Sequence, residues 1–208
     1  MLRLPAQNGA TRLVLIRHLD ADESLRGRVY GALDVPLSPA GERRAGLLAN
    51  TLADLPLAAV YSSPLQRALG MAKLLATGRG LVPVVHEGLR ELDFGDLEGR
   101  TYEEIEANWA DVFRSWMRHP SRTAFPGGES FAELRARVLA AVEEIRALHP
   151  SGVVAVVAHG GVVRAILADA LSLPDDALFR LDQSHGGVSV VDWLANAPLV
   201  RAMNVTFV

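Results

Sequence analysis

Leu13-Val14-Leu15-Ile16-Arg17-His18 and, far downstream, Val153-Val154-Ala155-Val156-Val157-Ala158-His159-Gly160-Gly161 decide how this chain reads. Each is a short continuous apolar run, the pattern of a parallel strand buried on both faces. Each ends in a histidine, and a helix is expected after it. Ligands of open α/β sheets bind beyond the carboxyl ends of such strands. The two histidines are therefore expected to meet at one sheet edge. Arg17, beside the first, points to a phosphate as what they meet over.

Outward from these runs the chain alternates between strand and helix patterns. After a first strand at 12–16, residues 58–61 read as a second and 82–85 as a third. Pro83 places the third near a sheet edge. Residues 188–193 and 199–205 read as late strands. Ser38-Pro39 opens a helix, serine as cap and proline at the first position. It carries Leu47, Leu48, Leu52 and Leu55 and ends near Pro56. Ser63 to Gln66, Thr101 to Glu104 and Ser130 to Glu133 each have the capping-box pattern. They predict helix starts, the second running through 101–122 and the third to about His149. Helices are also expected at 161–171 and 174–181. Alternation of this kind predicts a mainly parallel sheet covered on both faces.

The chain has 208 residues, 50% hydrophobic and 22% charged, which suits one globular domain with room for an inserted cap. A formal net charge of −3 gives no global attraction to nucleic acid or to a membrane surface. Lys73 is the only lysine among 21 basic residues. That bias reads first as codon usage, so only arginines inside motifs are taken as phosphate ligands. The absence of cysteine excludes disulfides, thiol nucleophiles and thiolate-bound metal. The opening MLRLPAQNGATR has no long apolar run and is not expected to be a signal peptide. No stretch is long enough to span a bilayer. A cytoplasmic location is the default expectation.

Four motifs carry chemistry. A lone histidine after a strand is more often structural, but Arg17-His18 pairs a nucleophile with a cationic clamp. Arg67, in Ser62-Ser63-Pro64-Leu65-Gln66-Arg67, falls in the first turn of a helix after a strand. It can reach the same pocket, although alone it would read as a solvated helix arginine. His159-Gly160-Gly161 sits at a strand-to-helix turn, where glycines admit a ligand close to the backbone and free N–H groups face an anion. Arg90-Glu91-Leu92-Asp93-Phe94-Gly95 offers an acid. Expelling an alkoxide needs a proton, and a glutamate with a raised pKa can supply it and then activate water.

In this order, these motifs resemble those of the histidine phosphatase superfamily, the proteins similar to cofactor-dependent phosphoglycerate mutase. The resemblance covers about residues 13–191. Arg28, Gly31, Asp34, Pro36, Leu37, Ser38 and Gly41 also fit it, and Pro126-Gly127-Gly128-Glu129-Ser130 fits its phosphatase branches. It implies an α/β fold, a three-layer αβα sandwich with a mostly parallel central sheet. Residues 1–208 would form a single domain with a helical cap-like insertion at about 101–125. The implied activity is a metal-independent phosphatase acting on a small phosphate monoester, with no cofactor. His18 would become phosphohistidine and Glu91 would be the proton donor. Arg17, Arg67 and His159 would hold the phosphoryl oxygens. The alternatives are a phosphoglycerate mutase or a non-catalytic phospho-ligand-binding relative. The expected partner is a small phosphorylated metabolite, with no nucleic acid and no membrane. A homodimer paired through an edge strand stays open.

Two positions depart from the family pattern. Leu19 stands where glycine usually follows the nucleophile. It is read as compatible with activity if its backbone angles are ordinary, and the stretch from Tyr30 to Leu37 is similar to that of α-ribazole phosphatases, which also tolerate other residues there. Ser24 aligns with an asparagine that can touch phosphate in mutases, and with Gly160 it completes the expected phosphate-binding set. Met71, in place of a threonine, reads as packing. His86, His119 and His149 read as surface or helix-end residues. His185, in Ser184-His185-Gly186-Gly187, is read as a lone histidine without a partner, with the pocket rim as the alternative. Trp109, Trp116, Phe125 and Arg28 are candidate substrate contacts.

Overall fold

The computed structural model describes residues 4–7 and 9–207. Its strands are β1 (Thr11–Arg17), β2 (Ala59–Ser62), β3 (Val84–Val85), β4 (Val153–Ala158), β5 (Val188–Trp193) and β6 (Pro198–Val205). Its α-helices are α1 (Pro39–Thr51), α2 (Gln66–Ala76), α3 (Tyr102–Asn108), α4 (Ala110–Arg118), α5 (Phe131–Leu148) and α6 (Gly160–Ala170). The sheet order is β3-β2-β4-β1-β5-β6. The first four strands in that order are parallel, whereas β5 and β6 run antiparallel to their neighbours. The sheet is thus mostly parallel with an antiparallel flank. Residues 174–181, expected to be helical, form a 3₁₀ segment at Asp175–Arg180.

Side chains alternate across a strand, and β1 shows what that does here. Leu13 and Leu15 pack with Leu134, Val138 and Ile145 of α5 and Val162 and Ile166 of α6. Val14 and Ile16 pack on the other face with Leu48 and Leu52 of α1 and Met71 and Leu75 of α2. Helices on both faces complete the three-layer αβα sandwich. Both faces of β1 and β4 are covered, which explains why their sequences are apolar without a break.

Local signals hold at three helix starts. Ser38 accepts from the Gly41 N–H with Pro39 at the first position, and the Thr101/Glu104 and Ser130/Glu133 capping boxes both close. The expected box at Ser63 does not form. Helix α2 begins at Gln66 without a cap from its own segment. Asp34 takes over, accepting from the Gln66 N–H at 2.7 Å. The single helix expected over 101–122 is instead two, broken at Trp109 (φ −132°, ψ 43°) and ending at Arg118. Ile105 and Trp116 anchor this segment into the core on the α5 side.

The register places the site. Arg17 pairs with Ala158, and Ser62 with Val157. His18, Ser63 and His159 therefore follow the carboxyl ends of three adjacent parallel strands. Val188, which opens the antiparallel β5, pairs with Ile16. The loop before β5 thus reaches the same edge from the opposite direction.

Candidate active site

A cavity of about 390 Å³ opens at this edge, lined at one end by Arg17, His18, Arg67, Glu91, Gly161 and His185. His18 is buried, and its Nδ1 lies 2.6 Å from the Leu19 carbonyl oxygen. A carbonyl only accepts, so Nδ1 carries the proton. Nε2 is left with its lone pair, to which Arg67 Nε–H donates at 3.3 Å. Burial pushes His18 well below its ordinary pKa of 6.5, with the Arg67 and Arg17 guanidinium groups and His185 adding to the effect. The ring is a neutral base at neutral pH.

Arg67 is completely buried. Besides His18, it donates from Nη1 to the Leu33 carbonyl and from Nη2 to the Gly31 carbonyl, both at 2.6 Å, and it lies over the Tyr30 ring. The loop offering those carbonyls is pinned by Glu98, whose carboxylate accepts from the N–H groups of Gly31, Ala32 and Leu33. Gly31 must be glycine, because a Cβ would overlap the Leu92 carbonyl.

His159 caps α6 and is fully buried, its ring centroid 5.1 Å from that of His18. Its Nε2 pairs with Ser63 Oγ at 2.7 Å, and the same hydroxyl oxygen accepts from the Leu65 N–H at 3.3 Å, ahead of the first turn of α2. Burial and the neighbouring His18, Arg67 and Arg17 hold its pKa well below 6.5. Nδ1 of His159 and Nε of Arg17 are buried without a protein partner, an arrangement that an incoming oxyanion would satisfy.

Glu91 accepts from the Leu92 N–H at 2.9 Å and the Gly161 N–H at 3.1 Å. A Cβ on Gly161 would overlap Glu91 Oε1. Arg137 supports the Glu91 segment, donating to the carbonyls of Gly88, Arg90 and Glu91. Glu129, from the Pro-Gly-Gly-Glu stretch, is the carboxylate that holds Arg137. That stretch thus braces the acid and does not line the cavity.

Not every expected residue is brought in. Ser24 is exposed on a 3₁₀ turn, held by Asp22, and does not line the cavity. Gly160 lies against Arg17, and Gly161 borders the cavity instead. Trp116 and Arg28 line it, whereas Trp109 and Phe125 pack elsewhere in the core region. His86, His119 and His149 lie at element ends, as expected. Leu19 is fully buried in the α1/α2 core and has no positive φ. Gly186, at φ 75°, leaves room for its side chain.

His185 corrects the reading of it as a lone residue. Its ring centroid is 5.3 Å from that of His18, and it bonds both Arg17 and Asp20. Tyr30, which opens the Tyr30-to-Leu37 stretch, also lines the cavity, as do Arg164 and Phe179, which no motif indicated. The one available signal for Arg164 was its position just over a turn into α6 from His159.

Residues 13–206 match the model of the histidine phosphatase superfamily, branch 1. The chain belongs to this family. Phosphoserine phosphatase 1 of Hydrogenobacter thermophilus is 31% identical over 195 residues, covering 94% of this chain and 92% of that protein. Glucosyl-3-phosphoglycerate phosphatase of Mycobacterium tuberculosis is 35% identical, covering 79% and 77%. Among solved structures, YhfR of Bacillus stearothermophilus superposes with a TM-score of 0.87 at 32% identity, over 93% of this chain and 96% of that one. This histidine phosphatase is accordingly a phosphoric monoester hydrolase with the phosphoglycerate mutase-like fold. Among the described residues no helix is long and apolar enough to cross a membrane.

Proposed function

We propose that this histidine phosphatase hydrolyses a small phosphate monoester through a phosphohistidine on His18, with no metal ion or organic cofactor. The observation that carries the reading is the His18 ring, neutral, with Nδ1 fixed on the Leu19 carbonyl and Nε2 facing Arg67. In the first step the Nε2 lone pair attacks phosphorus and the P–O ester bond breaks. The leaving oxygen takes a proton from Glu91. In the second step water attacks phosphorus, Glu91 takes the water proton, and the P–N bond breaks to release inorganic phosphate. Arg17, Arg67 and His159 hold the phosphoryl oxygens, the task that fixed donors perform in phosphoryl transfer. Residues 1–208 act as one domain, with 101–125 as a cap-like insertion over the cavity. The setting is the cytoplasm and the partner a small phosphorylated metabolite.

The test is turnover of p-nitrophenyl phosphate in the presence of a chelator, with an alkaline denaturing quench to trap the acid-labile phosphohistidine. Wild-type turnover with label on His18, and none in His18→Ala, is the expected result. Full turnover by His18→Ala would sink the reading.

A further inference from the structure

Away from the phosphoryl end, the cavity wall is aromatic. Phe94, Tyr102, Trp116, Phe131 and Phe179 supply it, together with Leu178. The rings are ordered against one another: Tyr102 stacks on Trp116 at 6.3 Å with planes 12° apart, and Phe179 meets Trp116 at 6.4 Å. Tyr102 and Phe179 are nonetheless 48% and 53% exposed, so apolar surface at the rim stands open.

The polar inventory of that wall is short. Its side chains include no carboxylate, amide or aliphatic hydroxyl among the described residues, and the Tyr102 phenol is the side-chain acceptor it offers. Sugar hydroxyls need acceptors as well as donors, and an amino-acid ammonium needs an acceptor. The two cations on the wall are each tethered to a backbone carbonyl, and a guanidinium offers donors but no acceptor. Arg28 donates to the Gly99 carbonyl at 2.7 Å. Arg164 donates to the Leu181 carbonyl at 2.9 Å, with its guanidinium over the Phe179 ring. The phosphoryl subsite and the aromatic wall therefore ask for different halves of one molecule.

We infer that the substrate is a phosphate monoester whose alcohol half is apolar and aromatic, a ring seated against Trp116 between Tyr102 and Phe179. The inference rests on the phosphatase reading above. It separates this chain from its relatives named for phosphoserine and glucosyl-3-phosphoglycerate, whose alcohol halves are polar.

Benzyl phosphate, ethyl phosphate, phosphoserine and glucose 6-phosphate all expel a primary alkoxide, so comparing them isolates recognition. The expected kcat/KM for benzyl phosphate exceeds each of the others by about 10- to 200-fold, the range that added apolar groups give in a fitted pocket. Phosphoserine or glucose 6-phosphate matching benzyl phosphate would overturn the inference. Phe179→Ala and Tyr102→Ala, at half-exposed positions, are expected to cut the benzyl-to-ethyl ratio several-fold. An unchanged ratio in both variants would also overturn it. Binding of benzylphosphonate against methylphosphonate, by calorimetry, needs no turnover. Tighter benzylphosphonate binding with no hydrolysis of any ester would keep the pocket assignment and sink the phosphatase reading. Equal binding would sink the pocket assignment alone.

Discussion

Arg17 Nη2 donates to His185 Nε2 at 2.9 Å, and the other nitrogen of the same ring stands 3.3 Å from Asp20 Oδ1. The pair fixes the His185 tautomer, with Nδ1–H toward the carboxylate and Nε2 as acceptor. Burial and the Arg17 charge lower the His185 pKa to about 4, against the pull of Asp20. The acceptor for Arg17 therefore persists through the physiological range. His185→Ala should raise KM for p-nitrophenyl phosphate by about tenfold, the scale of one lost buried hydrogen bond. His185→Gln, which restores an acceptor, should recover part of the loss. Equal KM in wild type and His185→Ala would show that Arg17 is held without it.

Arg67 spends its three nitrogens on three different acceptors, His18 and the Leu33 and Gly31 carbonyls. A lysine supplies one point charge and cannot reproduce that fork. Arg67→Lys should lower kcat by about 100-fold, as for removal of one transition-state donor. It should also leave two buried carbonyls without donors, lowering stability by about 2 kcal/mol. Stopped-flow kinetics and urea unfolding of the same preparation separate the two effects.

His18, His159 and His185 all have pKa values lowered by folding. Below the ordinary value of 6.5 the unfolded chain takes up protons that the native chain refuses. Stability should therefore fall as pH drops from about 6.5 toward 4, each histidine contributing up to about 1.4 kcal/mol per pH unit over its own window. Urea midpoints measured between pH 8 and 5 check the direction. The same depression keeps His18 nucleophilic at pH 6, so the acid limb of the kcat/KM profile should have its midpoint below 6.5. An acid limb centred above 6.5 would place a different group in control.

The parts of this site that sequence revealed are those set by local physics. β1 and β4 were legible because burial on both faces leaves an unbroken apolar run, and the closed capping boxes because each spans four residues. His185 was obscured for a geometric reason. It precedes a strand, and only the antiparallel direction of β5 carries that loop to the edge where β1 and β4 end. Ser63 does not close its box because α2 starts later than the pattern suggests, with Leu65 at the cap position, and the Ser63 hydroxyl pairs instead with the Leu65 N–H and with a histidine 96 residues away. The break at Trp109 falls within a continuous helical pattern, so local spacing gave no sign of it. Ser24 followed from alignment of a loop whose path Asp22 sets.

Leu19 and Gly186 form a matched pair. Gly186 has φ 75°, and a Cβ there would lie 2.6 Å from Leu19 Cδ1. Gly186→Ala therefore meets both a backbone penalty and a clash, and should destabilise by more than about 1 kcal/mol. Leu19→Ala in the same chain removes the clash and leaves the backbone penalty, so the double variant should lose less than the sum of the singles. A double-mutant cycle by urea unfolding measures the difference, and strict additivity would show that the side chain adjusts freely.

Glu91 is where leaving-group chemistry becomes visible. Its Oε2 accepts from the Gly161 N–H at 3.1 Å, a bond that a glutamine oxygen can keep. Glu91→Gln thus keeps that bond, gives up the one that Oε1 accepts from the Leu92 N–H, and removes the ionisable proton. An alkoxide leaves only with that proton, and general acid catalysis is worth about 100- to 10,000-fold. Phosphorylation of His18 by benzyl phosphate should slow on this scale in Glu91→Gln. p-Nitrophenolate leaves without protonation, so the burst of p-nitrophenol from p-nitrophenyl phosphate should be nearly unaffected. The second step still needs a base to activate water, so the phosphohistidine should accumulate behind that burst. A burst and an alkyl ester slowed by the same factor would remove Glu91 from the role of acid and leave it a purely positioning carboxylate.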